Sequence, residues 1–429
     1  MFKSPECYIP LSLRCFAIHV LLSTVGCAPE PMPVEANVKA NSDSQVEMSV
    51  GNTTSVVYAK TAETPDRGRA SGSVFRFREI GTASGFDFER YDDMKGQRRI
   101  LEVNGGGAAI FDFDMDGWLD VFMTNGCRLP LNRDTRQSPG KLFRNHRTMN
   151  FRDCSLASGL EQFGFCFGSA VADANDDGFE DLYITAYGGN QFWTNNGDGT
   201  FSEVAATNGT WTGKWGASAA FADLNGDQCL DLYVVNYLEE SDEHPKLCPE
   251  PTSPDGFIGC TPAVFNGVPD MLFLSDGAGG YINASAEAGL NELPGKGLGI
   301  AIADFGGDPE PEIYIANDGA PNFLLTIERT NLIDGGIQGI RFHDEAISAN
   351  LALNEQGFAQ ASMGVAAADF DHNGAMDIFL THFIDDTNTM YLNRTPDGGA
   401  LVFEDATRQT RLGPPSLSVL GFGVANIDI

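Results

Sequence analysis

The sequence predicts an all-β protein, a β-propeller of four-stranded blades, and three recurring features predict it. An acidic nine-residue turn returns along the chain; a run of small and β-branched residues precedes each copy; an alternating, strand-like run follows each. The first copy is DFDMDGWLD, residues 112 to 120. Carboxylates packed this closely repel one another unless solvated or bridged, so the stretch calls for a cation. Calcium takes oxygens from positions 1, 3, 5, 7 and 9 of such a loop, with glycine at position 6 making the sharp turn. Here those positions are Asp112, Asp114, Asp116, the Trp118 carbonyl, Asp120 and Gly117. An EF-hand would add a glutamate at position 12 on a following helix. Position 12 is Met123, inside the strand-like LDVFMTN, so the loop reads as a metal-binding turn between two strands.

Three further copies keep the ligand pattern. DANDDGFED offers Asp173, Asn175, Asp177, the Phe179 carbonyl and Asp181; DLNGDQCLD offers Asp223, Asn225, Asp227, the Cys229 carbonyl and Asp231; DFDHNGAMD offers Asp369, Asp371, Asn373, the Ala375 carbonyl and Asp377. In the second of these Gln228 replaces the turn glycine, and Gly226 is expected to relieve the turn. A fifth copy, DFGGDPEPE, is degenerate. Asp304, Asp308 and Glu312 remain, but Gly306 removes the position-3 ligand and Pro309 the turn glycine. The expected complement is about four calcium ions, with this loop a doubtful fifth.

Each loop sits in the same frame. GGGAAIF, GSAVA, GASAAFA, GLGIAIA and MGVAAA lead into the loops; LDVFMTN, EDLYITAY, LDLYVVNY, PEIYIAND and MDIFLTHF lead out. A third strand and a glycine or asparagine turn follow, as in NQFWTNNGDGTFSEV. Radially repeated four-stranded sheets form a propeller, whose innermost strands crowd the axis and favour small side chains. The spacing of about 50 to 80 residues between loops is at or above blade size, with insertions in the longest gap.

These residues resemble the FG-GAP/VCBS repeats of integrin alpha-chain propellers, and the whole set resembles the cartilage acidic protein (ASPIC/UnbV) type from about Phe75 onward. The resemblance implies a secreted, calcium-binding propeller of seven blades followed by a small C-terminal domain. This sequence supplies about five complete units and the start of a sixth, GFGVANIDI, with Asn426 and Asp428 at positions 1 and 3, and so reads as truncated. In an intact ring the segment FRFREIGTASGF would complete the last blade as its outer strand.

The domain reading is an export signal at residues 1–27, a flexible linker at 28–73 and the propeller at 74–429. Lys3 and Arg14 precede the apolar CFAIHVLL, which is too short to span a bilayer. The following TVGC resembles a lipobox that would make Cys27 a lipid anchor, placing the protein in the cell envelope as an outer-membrane lipoprotein or in the medium. Residues 28–73 are rich in Pro, Ser, Thr and charge. With 59 acidic against 27 basic residues the net charge is -32, which argues against nucleic acid or anionic membrane as partners. Six cysteines remain after the leader, an even number that in an exported chain suggests disulfides; Cys248 and Cys260 bracket a Pro/Gly-rich insertion and are the favoured pair.

Repeated loops that supply most of their own ligands point to structural ions, since catalytic metal sites keep an open position. GxSxG, HExxH and GxxxxGK[ST] motifs are absent from the sequence, and GKGLG at 295–299 precedes an inner strand and not a helix. The leading functional reading is a non-enzymatic module that binds extracellular protein or glycan. The competing one is a polysaccharide-acting lyase or dehydratase on the same scaffold, with a base and an acid facing each other near the insertion at 239–262.

Overall fold

A computed structural model describes residues 46–50, 53–57, 78–132 and 139–426. The chain divides into two units. In the smaller, Val46–Val50 and Thr53–Val57 pair antiparallel as a hairpin within the stretch whose composition suggested a tether. The leader and Cys27 lie outside the described residues, as does most of the 28–73 segment.

The larger unit contains five four-stranded antiparallel sheets, each with its strands in sequence order. The inner strands are Ala108–Phe111, Phe165–Ala172, Gly216–Ala222, Gly297–Ala303 and Ser362–Ala368, and each turns through an acidic loop into a second strand. Those second strands are Asp120–Met123, Asp181–Tyr187, Asp231–Asn236, Glu312–Asn317 and Asp377–His382. Alternating apolar residues explain the stacking. Leu182 and Ile184 of blade 2 bury against Ala109, Phe111 and Phe113 of blade 1, and Ile313 and Ile315 of blade 4 against Tyr233 and Val235 of blade 3. GKGLG enters the blade 4 inner strand, as read from sequence.

Inner strands of successive blades touch backbone to backbone, which explains their Gly/Ala composition. A methyl at Gly168 would lie 2.6 Å from the Ala217 carbonyl oxygen of the next blade, and one at Gly299 only 2.2 Å from that of Met363. Each distance is less than a carbon–oxygen contact allows, so only glycine fits. The Thr185 hydroxyl strengthens the first contact, accepting from the Gly168 amide at 2.8 Å and donating to the Ala217 carbonyl at 3.0 Å. Thr124 makes the same relay in blade 1 and Thr381 in blade 5, the latter toward the Phe422 carbonyl, so residues 421–426 run beside blade 5 where a further inner strand would lie.

A turn after each outer strand docks on the next blade. Gly85 (φ 92°) and Gly209 (φ 88°) abut the carbonyls of Phe151 and Tyr281 in the following outer strands. The turn Thr82–Ser84 thus occupies the position of an inter-blade turn, with the Phe86 ring edge-on to Phe143 and tilted against Phe151.

At the end away from the acidic loop in blades 2 to 5, a side chain near the start of the third strand receives an amide from the end of the second. Asn190 accepts from Ala186 (2.8 Å), Asn322 from Asn317 (2.8 Å) and Asn388 from His382 (3.1 Å). Blade 3 uses Asp270, which accepts from the Asn236 amide (2.8 Å) and the Tyr233 hydroxyl (3.1 Å). Burial raises this carboxyl to about 7, against the pull of those two donors and the Lys214 ammonium. Its folded pKa therefore exceeds the unfolded value of about 3.9, the folded state holds the proton longer, and stability declines as pH rises from about 4 to about 7. Asp270→Asn is expected to stabilise the protein by about 1–3 kcal/mol at pH 8 and to be nearly neutral at pH 4.5, measured by urea denaturation at the two pH values.

Candidate metal centres

Each acidic loop is a hairpin turn whose carboxylates first organise its own backbone. The position-1 aspartate accepts at least two amides, and Asp223 takes a third from Gly226 at 2.7 Å. Asp112 takes those of Asp116 and Gly117 (3.0 and 2.8 Å), Asp173 those of Asp177 and Gly178, Asp369 those of Asn373 and Gly374, and Asp223 those of Asp227 and Gln228. The position-5 side chain accepts the amide of position 7, which orients the peptide units at Trp118, Phe179, Cys229 and Ala375.

Position 9 does something different. Asp120, Asp181, Asp231 and Asp377 are completely buried. One oxygen accepts the amide of loop position 2, from Phe113, Ala174, Leu224 and Phe370, at 2.8 to 3.3 Å. The other accepts the amide at the end of the third strand, from Asn145, Asn195, Ser275 and Asn393, at 2.7 to 2.9 Å. Burial, reinforced by the neighbouring loop carboxylates, raises Asp120, Asp181 and Asp231 to about 7 and Asp377 in the same direction.

The ligand oxygens of Asp112, Asp114 and Asp116 lie within 4.8 Å of one another, as do those of Asp369, Asp371 and Asp377. Calcium–oxygen distances of about 2.3–2.6 Å put two ligands of one ion no farther apart than about 5 Å, so both clusters fit a single ion. Asp114 Oδ1 is buried without any hydrogen-bond partner, an arrangement a cation would satisfy. In the loops at 173 and 223, Asn175 and Asn225 take position 3 and supply a neutral oxygen of the kind calcium accepts.

The degenerate loop keeps its frame by another route. Asp304 caps Gly307 and Asp308, while Glu312 Oε2 accepts the amides of Phe305 (2.7 Å) and Gly306 (3.1 Å). A side chain at Gly306 would meet Glu312 Oε1 at 3.1 Å, so the longer glutamate fills the space of the missing position-3 ligand. Burial raises Glu312 to about 7.

Three features escaped the sequence reading. Position 4 is left-handed in every loop, at Met115, Asp176, Gly226, Gly307 and His372, so Gly226 serves its own position. The expected relief of Gln228 is absent: Gln228 itself adopts φ 72°. The asparagine ending the third strand is a latch. Asn195 Nδ2 donates to the Phe113 carbonyl in the loop of blade 1 (2.8 Å), and Asn393 Nδ2 to the Phe305 carbonyl in the loop of blade 4 (2.8 Å). Its signal was visible as the recurring FRN, WTN and YLN.

At the insertion, Arg99 pairs with Glu240 (2.8 Å) and Asp242 (2.9 Å), and all three side chains are largely buried. The acid and base there neutralise one another in a closed cluster. Cys248 and Cys260 are joined, their Cα atoms 5.3 Å apart. Cys127, Cys154 and Cys166 keep their thiols, contrary to the pairing that an even count suggested. Cys154 and Cys166 donate instead to the carbonyls of Leu142 and Phe163, and burial pushes the Cys127 and Cys154 thiols up to about 12. His382 is buried, with Ser362 at 3.2 Å from Nε2, and lines no open cleft.

Acidic hairpin turns on stacked four-stranded blades define the FG-GAP class of β-propeller, and the FG-GAP-like repeat model matches residues 112–184 and 173–234. Over most of its length the chain is similar to cartilage acidic protein 1. It is 26% identical to cartilage acidic protein 1 of Xenopus tropicalis over 329 residues, covering 73% of this chain and 45% of that protein. Against the Homo sapiens protein it is 25% identical over 333 residues, covering 73% and 44%. The chain therefore spans less than half the length of the curated relatives it matches. Among solved structures, an Agrocybe aegerita lectin that recognises non-reducing terminal N-acetylglucosamine aligns at 15% identity and TM-score 0.36, covering 72% of this chain and 69% of that one. A Bacillus licheniformis rhamnogalacturonan lyase aligns at 11% identity and TM-score 0.31, covering 72% and 55%. Likenesses this distant do not bear on function.

Three substitutions test the loop geometry. Asn195→Ala removes donors to two carbonyls and an acceptor for Gly197, and is expected to cost about 2 kcal/mol; Asn145→Ala, whose Nδ2 reaches only Leu119 of its own loop, is expected to cost about half as much. Gln228→Gly is expected to stabilise by about 0.5–1 kcal/mol by relieving the left-handed strain, read as a shift in urea midpoint at unchanged slope.

Proposed function

We propose that this is an exported calcium-binding propeller that acts without catalysis, presenting its loops to an extracellular protein or glycan while bound calcium holds one face rigid. The observation that carries the reading is the convergence of three carboxylates within 4.8 Å in the hairpins at 112 and 369, with Asp114 Oδ1 buried and partnerless. Asp112, Asp114, Asp116, Asp120 and their equivalents at 173–181, 223–231 and 369–377 would hold the ions, and Asp304, Asp308 and Glu312 form the weaker candidate. A bound ion would supply charge neutralisation at each hairpin.

Because every loop joins an inner strand to the second strand, all lie at the same end of the blades, and the latches of Asn195 and Asn393 tie the loops at 112 and 173, and those at 304 and 369, into two pairs. That end is the surface best suited to a rigid binding face. Export follows from the leader and from calcium levels, since loops of this kind fill where calcium is about 1 mM. Cys27 would anchor the chain to a membrane by lipid; among the described residues no helix is long and apolar enough to cross one. The closed ion pairs of Arg99 support the non-enzymatic reading, because they consume the charged groups a lyase at the insertion would need.

At about 1 mM calcium and a dissociation constant of about 0.1 mM, each site contributes on the order of 1.4 kcal/mol, and four contribute about 5–6 kcal/mol. Elemental analysis of dialysed protein is expected to find about four calcium ions per chain, and EGTA is expected to lower the melting temperature by several degrees. An unchanged melting temperature with no bound alkaline-earth metal would overturn the reading. Binding to immobilised extracellular-matrix glycans that disappears in EGTA and returns with calcium tests the partner.

A further inference from the structure

The loops are not electrostatically equivalent. In blade 1, Arg144 Nε lies 2.5 Å from Asp114 Oδ2 and its Nη2 lies 3.0 Å from Asp116 Oδ2. In blade 5, Arg394 Nη1 lies 2.6 Å from Asp371 Oδ2, with Nε bonded to Glu404 at 3.0 Å. Asp114 and Asp371 are the two aspartates at loop position 3. Where position 3 is asparagine, at Asn175 and Asn225, no ion pair with lysine or arginine is found on loop residues Asp173, Asp177, Asp223 or Asp227 among the described residues. Asn225 Nδ2 donates instead to the Asp227 carboxylate at 3.0 Å, a bond internal to the loop.

Arg144 immediately precedes the latch residue Asn145, whereas Arg394 immediately follows Asn393. The corresponding residues are Thr194 and Leu274 before the latch, and Asn196 and Asp276 after it. The counter-charge therefore enters from opposite sides of the latch in the two blades and reaches the same position-3 carboxylate. Its placement follows the extra aspartate and not a shared strand register.

We propose that Arg144 and Arg394 are built-in counter-ions that compete with calcium for the position-3 carboxylates, dividing the loops into two classes. This rests on the calcium reading above. The loops at 112 and 369 are held together by arginine before an ion arrives and release that pairing when it binds; among the described residues the loop at 173 has no such substitute and depends on calcium for neutralisation, while at the loop at 223 the Arg329 guanidinium packs against Gly226 but pairs with Glu310 at 3.3 Å and not with a loop aspartate. A guanidinium within 3 Å of ligand carboxylates, two for Arg144 and one for Arg394, opposes an incoming divalent ion by direct repulsion and must surrender its hydrogen bonds. The arginine loops are accordingly the weaker sites and respond to extracellular calcium at higher concentration.

Calcium is titrated by isothermal calorimetry into the full chain and its variants, and separately against terbium bound at the first loop, where Trp118 sensitises the lanthanide. Arg144→Gln is expected to tighten calcium at that loop about tenfold, or about 1.4 kcal/mol, and to lower the melting temperature in EGTA. Arg144→Lys keeps the charge and is expected to stay near wild type. Arg394→Gln repeats the calorimetric test from the other side of the latch, so a folding failure in one variant leaves the other to decide. Unchanged or weakened affinity in the glutamine variants, with wild type still binding about four ions, would overturn the counter-ion role and leave the calcium reading intact. Absence of any calcium binding by wild type would overturn both.

Discussion

The blade depends on one buried carboxylate. In four of five blades an aspartate at loop position 9 is shielded from water and accepts one amide from its own loop and one from the end of the third strand. It thereby joins three of the four strands at one point. A buried carboxylate raised toward neutrality by its surroundings is a poor acceptor unless a positive charge sits nearby. The surrounding loop oxygens supply the place for that charge. The same residue that fixes the hairpin to the sheet thus creates the electrostatic demand that a cation meets.

Much of this was legible in the sequence because it repeats. Asp112 and its counterparts return with the same spacing between a small-residue strand and an alternating strand, and no other common architecture demands that sequence of features. What stayed hidden is long-range or conformational. Arg99 meets Glu240 and Asp242 across more than 140 positions, with no local pattern to announce it. The left-handed backbone at position 4 carries Met, Asp, Gly, Gly and His, so composition gives no signal. The latch asparagines were printed in the sequence, but their reach into the neighbouring blade is visible only once the blades are stacked. Glu312 looked like a damaged ligand and is a compensated one, because its extra methylene reaches the space that Gly306 leaves open.

The two ends of the blades solve the problem of cohesion with different chemistry. At the loop end the contacts are ionic and amide-mediated. At the opposite end Phe165, Phe167, Trp215, Tyr237 and Phe265 gather with Cys260 into one apolar cluster beneath the insertion, and Phe167, Trp215 and Tyr237 meet ring to ring at about 5 Å. The disulfide closes the insertion over this cluster. Apolar burial and a covalent cross-link are indifferent to calcium, whereas the loop end is not. Removing the ion should therefore loosen one face of the body and leave the other in place, which makes the loop face the responsive one.

Blade 4 shows what the latch contributes by lacking it. Its third strand continues through Phe323–Leu332 into a long hairpin, and Ile327 stands where the other blades have asparagine or serine. With no latch side chain of its own, the blade turns both of its position-9 acceptor bonds back onto its own loop, at Phe305 and Gly306. The Phe305 carbonyl is nonetheless held by Asn393 of blade 5. So blade 4 receives a latch without giving one, and any mechanical coupling through the loop row weakens at its junction with blade 3. Loops 112 and 173, joined by Asn195 and by the Asp112 amide on Glu180, form one coupled pair; loops 304 and 369, joined by Asn393, form another. On the proposed calcium reading, an ion entering one member of a pair would stiffen the backbone that the other must organise, so any cooperativity in calcium binding would belong within these pairs and not across the whole face.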